Sequence, residues 1–286
     1  PDDEARRNIT VTPTWTADDL THRLHDAICA RLDELPALPA KMGIAIDTGP
    51  HRLLHTTSAD FRIERGADTP LILRADGAGT GCPITEATAI DALIALANWF
   101  VETNGAAAKR MAPHIAQTPL AKAWTPAAPS PAGAPLTPGR SSSGHILGAP
   151  FGSIEAAALA ALLQDTHAPA LRVTPWRLFQ LEGTDAQTAH GFITDARDPL
   201  LSAHACPGAP ACAAATVDTR ALARRLAAQH RDLHVSGCAK GCAHPKAAAL
   251  TLTGRDGAYD LVEQGHPWDQ PRQRGLSADA LLMTKA

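Results

Sequence analysis

Cys206-Pro-Gly-Ala-Pro-Ala-Cys212 and, twenty-five residues later, Cys238-Ala-Lys-Gly-Cys242 hold four of the six cysteines of the chain. The pattern is C-x5-C-x25-C-x3-C. Two close thiolate pairs are what a cubane iron–sulfur cluster needs. The Gly, Ala and Pro residues between them let backbone fold tightly and aim amides at sulfur. Structural zinc is the nearest rival, but zinc pairs are usually separated by two to four residues, and a five-residue spacer departs from that. Cys29, on a helix face, and Cys82, in a loop, read as lone thiols.

Around this stretch the composition is that of an ordinary globular protein. A length of 286 residues suggests two domains, each with its own core. The formal net charge of −3 argues against the broad basic face of a nucleic-acid binder. No apolar run approaches the roughly 18–20 residues that span a bilayer, and no basic-then-apolar signal segment opens the sequence. The expectation is a cytoplasmic chain without nucleic-acid or membrane partners, where clustered thiols favour metal over disulfides.

Hydrophobic periodicity places helices over about 17–34, behind the capping-type sequence Thr16-Ala-Asp-Asp19, and over 87–101, 154–164 and 219–230, with a short one near 184–190. Strands are expected at 42–48, 60–64, 71–74, 145–147, 171–174, 177–181, 233–236, 249–253 and 258–262. Residues 123–143, rich in Pro, Ala and Ser, read as a semi-rigid linker. The two ends of the chain share one element order: extended segment, helix, strand, hairpin. In this duplication Arg7 to Pro13 would stand where Cys206 to Cys212 stand, and Lys41-Met-Gly43 where the second pair stands.

Four runs carry a family resemblance. They are Ala5-Arg-Arg-Asn-Ile-Thr-Val-Thr-Pro13, Leu38-Pro-Ala-Lys-Met-Gly-Ile-Ala-Ile-Asp-Thr-Gly49, His234-Val-Ser-Gly-Cys-Ala-Lys-Gly-Cys-Ala-His-Pro245 and Gly254-Arg-Asp-Gly-Ala-Tyr-Asp-Leu-Val262. With the first cysteine pair, they resemble the nitrite/sulfite reductase superfamily over nearly the whole chain. Within it the nearest branch is the one that oxidises precorrins in aerobic cobalamin biosynthesis.

The resemblance implies an α+β fold with two reductase-like repeats and one ferredoxin-like half-domain between them. The first repeat would cover 1–122, followed by the linker at 123–143. The half-domain would cover 144–199, and the second repeat, carrying the cluster, 200–286. The family pattern also has another ferredoxin-like half ahead of the first repeat, which this sequence lacks.

By resemblance, Cys206, Cys212, Cys238 and Cys242 are the 4Fe-4S ligands, and in sirohaem reductases Cys242 would also bridge to the haem iron. Arg7 matches an arginine facing the tetrapyrrole pocket. Lys41 matches the first of two active-site lysines of sulfite reductases; Gly43 stands where the second would be. A precorrin has a rim of carboxylates, so Arg7, Lys41 and Lys240 are candidate substrate-binding cations, with Arg6, Arg172, Arg177 and Lys246 in reserve. The branch implies an oxygen-dependent monooxygenase that hydroxylates precorrin-3A at a meso carbon and closes a lactone. Its electrons would pass through the cluster from a donor protein or a reduced nicotinamide system. A non-haem iron, rather than sirohaem, would handle oxygen. His244 is the best-placed histidine for a site role, while His51 and His55 read as loop residues. The alternatives are a sirohaem-dependent sulfite or nitrite reductase and a non-catalytic, cluster-bearing remnant.

Overall fold

The computed structural model describes residues 8–184 and 189–283. The chain divides into two compact units, residues 1–136 and 137–286. The fold is mixed α+β, with three sheets among the described residues.

The first unit opens with β1 (Asn8–Val11) and helix α1 (Leu20–Ala30), followed by β2 (Gly43–Asp47), β3 (Phe61–Glu64), β4 (Leu71–Ala75) and β5 (Cys82–Ile84). The strands lie in chain order in one sheet. β1–β2 and β2–β3 are parallel; β3–β4 and β4–β5 are antiparallel. Helices α2 (Ala89–Glu102), α3 (Gly105–Ala108) and α4 (Met111–Ile115) complete the unit. Ile44, Ile46, Phe61, Ile63, Leu71 and Leu73 from the sheet interlock with Leu24 and Ile28 of α1 and with Leu93, Ala97 and Phe100 of α2. Strands covered on both faces read as near-continuous apolar runs, and β2 is buried at every position.

The sequence predicts α1 from about residue 17. It begins three residues later because Asp19, not Thr16, is the N-cap: its side chain accepts from the His22 amide at 2.9 Å. The linker is also more ordered than proline content suggests. Ala127, Ala128 and Ser130 exchange backbone hydrogen bonds with Gly81, Ala67 and Arg65 of the first unit. A strand, β6 (Gly139–Ser141), forms within the expected linker. Cys82 opens β5 rather than lying in a loop.

In the second unit β6 pairs with β7 (Gly144–Gly148), and after helix α5 (Ala156–Thr166) come β8 (Leu171–Val173) and β9 (Leu178–Glu182). These strands form a sheet of order β6-β7-β9-β8. Its small core is Leu147, Leu162, Leu181 and Phe192. Val173, on edge strand β8, is 76% exposed. The short helix expected over 184–190 falls largely on residues 185–188, which lie outside the described residues.

The third sheet runs β10 (His204–Ala205), β11 (Leu233–Ser236), β12 (Ala248–Arg255), β13 (Ala258–Gly265) and β14 (Gln273–Leu276). Helix α6 (Arg220–Leu226) connects β10 to β11, and α7 (Ala278–Met283) follows β14. The pairing is parallel, parallel, antiparallel, antiparallel, the sequence found in the first sheet. The duplication is therefore real at the level of topology.

It does not align the residues as the sequence suggested. The cysteine pairs follow β10 and β11, so by element their counterparts follow β1 and β2, at Thr12 onward and Thr48 onward. Lys41 precedes β2 and stands at the other end of the strand pattern. Arg7 lies outside the described residues.

Phe61 sits on the central strand of the first sheet and is 1% exposed. Phe61→Ala is expected to lower unfolding stability by about 3–5 kcal/mol, measured by urea denaturation. A loss of less than about 1 kcal/mol would contradict this packing.

Candidate iron–sulfur site

Both cysteine loops leave the third sheet at the same strand end. β10 and β11 are parallel neighbours in the register His204↔His234 and Ala205↔Val235. Cys206 follows β10 directly, and Gly237-Cys238 follows β11. Adjacent parallel strands end side by side, so the crossover through α6 returns the second loop next to the first. Leu222, Leu226, Leu233, Val235 and Leu252 bury the joint beneath them.

The contact between the loops is direct. The Gly237 amide donates to Cys206 Sγ at 3.2 Å. Residue 237 must be glycine for the loops to close this far: a Cβ there would lie 2.6 Å from the Ala215 Cβ. On the other side, a Cβ at Gly254 would approach the Gly237 carbonyl oxygen to 2.6 Å.

The first loop is internally tied. Cys212 N donates to Gly208 O at 2.8 Å, Ala209 N to Val217 O at 2.9 Å, and the Thr219 hydroxyl to Cys206 O. In the second loop, Ser236 Oγ donates to Cys238 O at 2.7 Å.

The four thiols are free; Cys206 is buried, Cys212 and Cys238 are half-buried, and Cys242 is exposed. Among the described residues, no three His, Cys, Asp or Glu side chains already stand in metal-holding geometry. The fit to a cluster lies in the donor set, four unpaired thiols on two abutting glycine-containing loops, and in an amide already aimed at one sulfur. Cys206 and Cys242 line a cavity of about 170 Å³ together with Phe151, Arg177, His204 and Arg220.

Three histidines crowd the same end. His204 and His244 stack with centroids 3.9 Å apart, and His234 meets His244 edge-on at 5.7 Å. His234 is fully buried, and neither ring nitrogen has a hydrogen-bond partner among the described residues. Burial first, and then the neighbouring His244, push His204 down to about 3 and His234 to about 4. Burial also lowers His244. The trio is neutral at physiological pH.

The sequence singled out His244 but not its partners. His204 stands two residues before Cys206 and His234 four before Cys238, a recurrence visible once β10 and β11 are known to pair. Arg220 was also missed as a site residue. Lys240, in the second cysteine loop, and Lys41, in the first unit, are both exposed. Among the other reserve cations, Arg172 bonds to Glu182 and Lys246 is exposed; Arg6 lies outside the described residues. In the first unit Cys29 lies exposed on α1, and His55 Nδ1 faces the Arg52 carbonyl at 3.3 Å in a 3-10 turn.

The histidine values carry a pH dependence. Both folded values lie below the ordinary 6.5, so the unfolded chain binds protons that the native chain excludes. Their stabilising contribution is complete above about pH 6.5 and is lost as pH falls toward 4. The denaturant midpoint of metal-free protein is expected to fall between about pH 7 and pH 5, before carboxylates titrate. His234→Leu should flatten that fall; an equally steep fall in the variant would contradict it.

No protein-family model matches the chain. A curated precorrin-3B synthase from Sinorhizobium sp. is 38% identical over 138 residues, which are 42% of this chain and 30% of that protein. The structure of Mycobacterium tuberculosis NirA superposes with a TM-score of 0.61, covering 96% of this chain and 65% of NirA at 18% identity. The chain thus spans only part of either relative, and the likeness to NirA concerns the fold alone. No helix among the described residues is long and apolar enough to cross a membrane. The chain has the nitrite/sulfite reductase-like fold, and in sequence it resembles precorrin-3B synthase.

Proposed function

We propose that this chain is the cluster-bearing part of a precorrin-3B synthase, an oxidoreductase of cobalamin biosynthesis. The observation that carries the reading is the pair of cysteine loops at one strand end, joined at Gly237 and Cys206, in a chain 38% identical to such a synthase over 138 residues. The reaction is the oxygen-dependent hydroxylation of precorrin-3A with lactone formation. One atom of O2 enters the product and the other leaves as water, which requires two electrons from a donor protein or a reduced nicotinamide system.

Cys206, Cys212, Cys238 and Cys242 would hold a 4Fe-4S cluster, which supplies electrons one at a time. The Gly237 amide would keep its hydrogen bond to the Cys206 sulfur, which favours the charged thiolate. Buried β11 fixes where Cys238 starts, so the cluster edge is set by the sheet rather than by a mobile loop. Lys41 and Lys240 are exposed cations suited to the carboxylates of the substrate rim, and Arg7 is assigned to the same task by its motif. No ligand set for a mononuclear iron is assembled among the described residues, so none is assigned to this chain.

The alternative of a sirohaem sulfite reductase is disfavoured at Gly43. A second lysine there would help hold an oxyanion, but a Cβ at that position would lie 2.9 Å from the Asn8 carbonyl oxygen across the β1–β2 pair.

After anaerobic reconstitution the protein is expected to be brown, with broad visible absorption, and Cys238→Ala to fall to background iron and sulfide. A Cys238→Ala protein with full iron and sulfide refutes the ligand assignment. With precorrin-3A, O2 and a reductant, the cluster-loaded protein should give a product heavier by one oxygen. A loaded protein that leaves the substrate mass unchanged favours the non-catalytic remnant. A sirohaem spectrum in the extract favours the reductase.

A further inference from the structure

Most buried or half-buried arginines of this chain face a carboxylate. Arg52 and Arg74 face Glu64, Arg62 faces Asp76, Arg110 faces Asp60 and Arg172 faces Glu182. Three show no ion pair among the described residues: Arg65, whose Nε donates to Thr48 O at 3.0 Å, and Arg177 and Arg220, which both line the cavity that Cys206 and Cys242 share.

Two backbone carbonyls hold Arg177 in place. Its Nη1 donates to Ala203 O at 2.8 Å and its Nη2 to Leu201 O at 2.7 Å, on the segment entering β10. No carboxylate faces it among the described residues, and burial lowers its affinity for the proton. Arg220 is half-buried, and its Nε is buried without a hydrogen-bond partner among the described residues. A buried cation without a counter-charge costs several kcal/mol, and the usual resolution is a nearby anion.

We propose that the anion is the cluster itself: Arg177 and Arg220 are its counter-charges, and they raise its reduction potential. The inference rests on the cluster reading above. A cubane bound by four thiolates is a net anion and becomes more negative on reduction, so adjacent cations favour the reduced form. A substrate carboxylate is the poorer occupant, since beside Cys206 and Cys242 it would meet the negative charge of the thiolates.

The test is a redox titration of the reconstituted protein, followed by the EPR signal of the reduced cluster, on wild type, Arg220→Met and Arg220→Lys. A unit charge about 10 Å away, at an effective dielectric of about 20, shifts a one-electron equilibrium by about tenfold. The reduced-to-oxidised ratio of Arg220→Met at the wild-type midpoint is therefore expected to drop about tenfold, while Arg220→Lys, which keeps the charge, stays within about threefold of wild type.

An unchanged midpoint in Arg220→Met with full iron and sulfide overturns the proposal. If Arg220→Met folds by circular dichroism but does not load, loading by Arg220→Lys supports it. Failure of both folded variants to load overturns it, because shape rather than charge would then decide. Wild-type protein that takes up neither iron nor sulfide defeats the cluster reading first, and the counter-charge assignment falls with it.

Discussion

The parallel pairing of β10 with β11 is the constraint on which the site depends. An antiparallel pair would send the two cysteine loops to opposite ends of the sheet. A parallel pair sends both to one end, at the cost of a crossover long enough to return the chain. Helix α6 and its flanking turns supply that crossover, which is why twenty-five residues separate the two cysteine pairs. The register does more than bring thiols together. It sets His204 beside His234 and makes room for Gly237 to reach the Cys206 sulfur. Replacing Gly237 or Gly254 with any larger residue would force the loops apart, so the glycines are part of the same constraint.

Much of this was legible in the sequence because it rests on local patterns. The cysteine spacing, the helical period behind Leu20 and the hairpin around Gly254-Arg-Asp-Gly257 each fix a local conformation. What was not legible depends on pairing between distant segments. β10 has two residues and no period of its own; it exists because β11 offers an edge. β14 reads Gln273-Arg-Gly-Leu276, a polar run held by antiparallel pairing to β13 and by the Gly275 amide donating to Asp260 at 3.2 Å. β6 forms inside a Pro- and Ser-rich stretch because β7 lies beside it.

The duplicated unit shows both sides of that limit. Element order correctly indicated two related sheets, yet matching residues by motif placed Lys41 opposite the second cysteine pair. The strands show that Lys41 precedes β2, whereas the cysteines follow β11. The histidine trio was hidden for the same reason: a residue two before one cysteine and a residue four before another become neighbours only through the register.

The arginines near β10 and β11 are held differently from those of the first sheet. In the first unit Glu64 is 1% exposed and lies between Arg52 and Arg74, while Asp60, fully buried, takes hydrogen bonds from Arg110, Met111 N and Gly43 N. Those charges are neutralised within the unit and hold loops to the sheet; removing one partner would leave the other buried alone. Around β10 and β11 the arrangement is the reverse. Arginines converge on a thiol-lined cavity, no carboxylate answers them among the described residues, and the nearby imidazoles are neutral. A fold can tolerate such an imbalance where another charge is supplied on loading. The same topology thus carries arginines paired with buried carboxylates in one sheet and, beside the strand ends where its cysteines emerge, an arginine held by backbone carbonyls in the other unit.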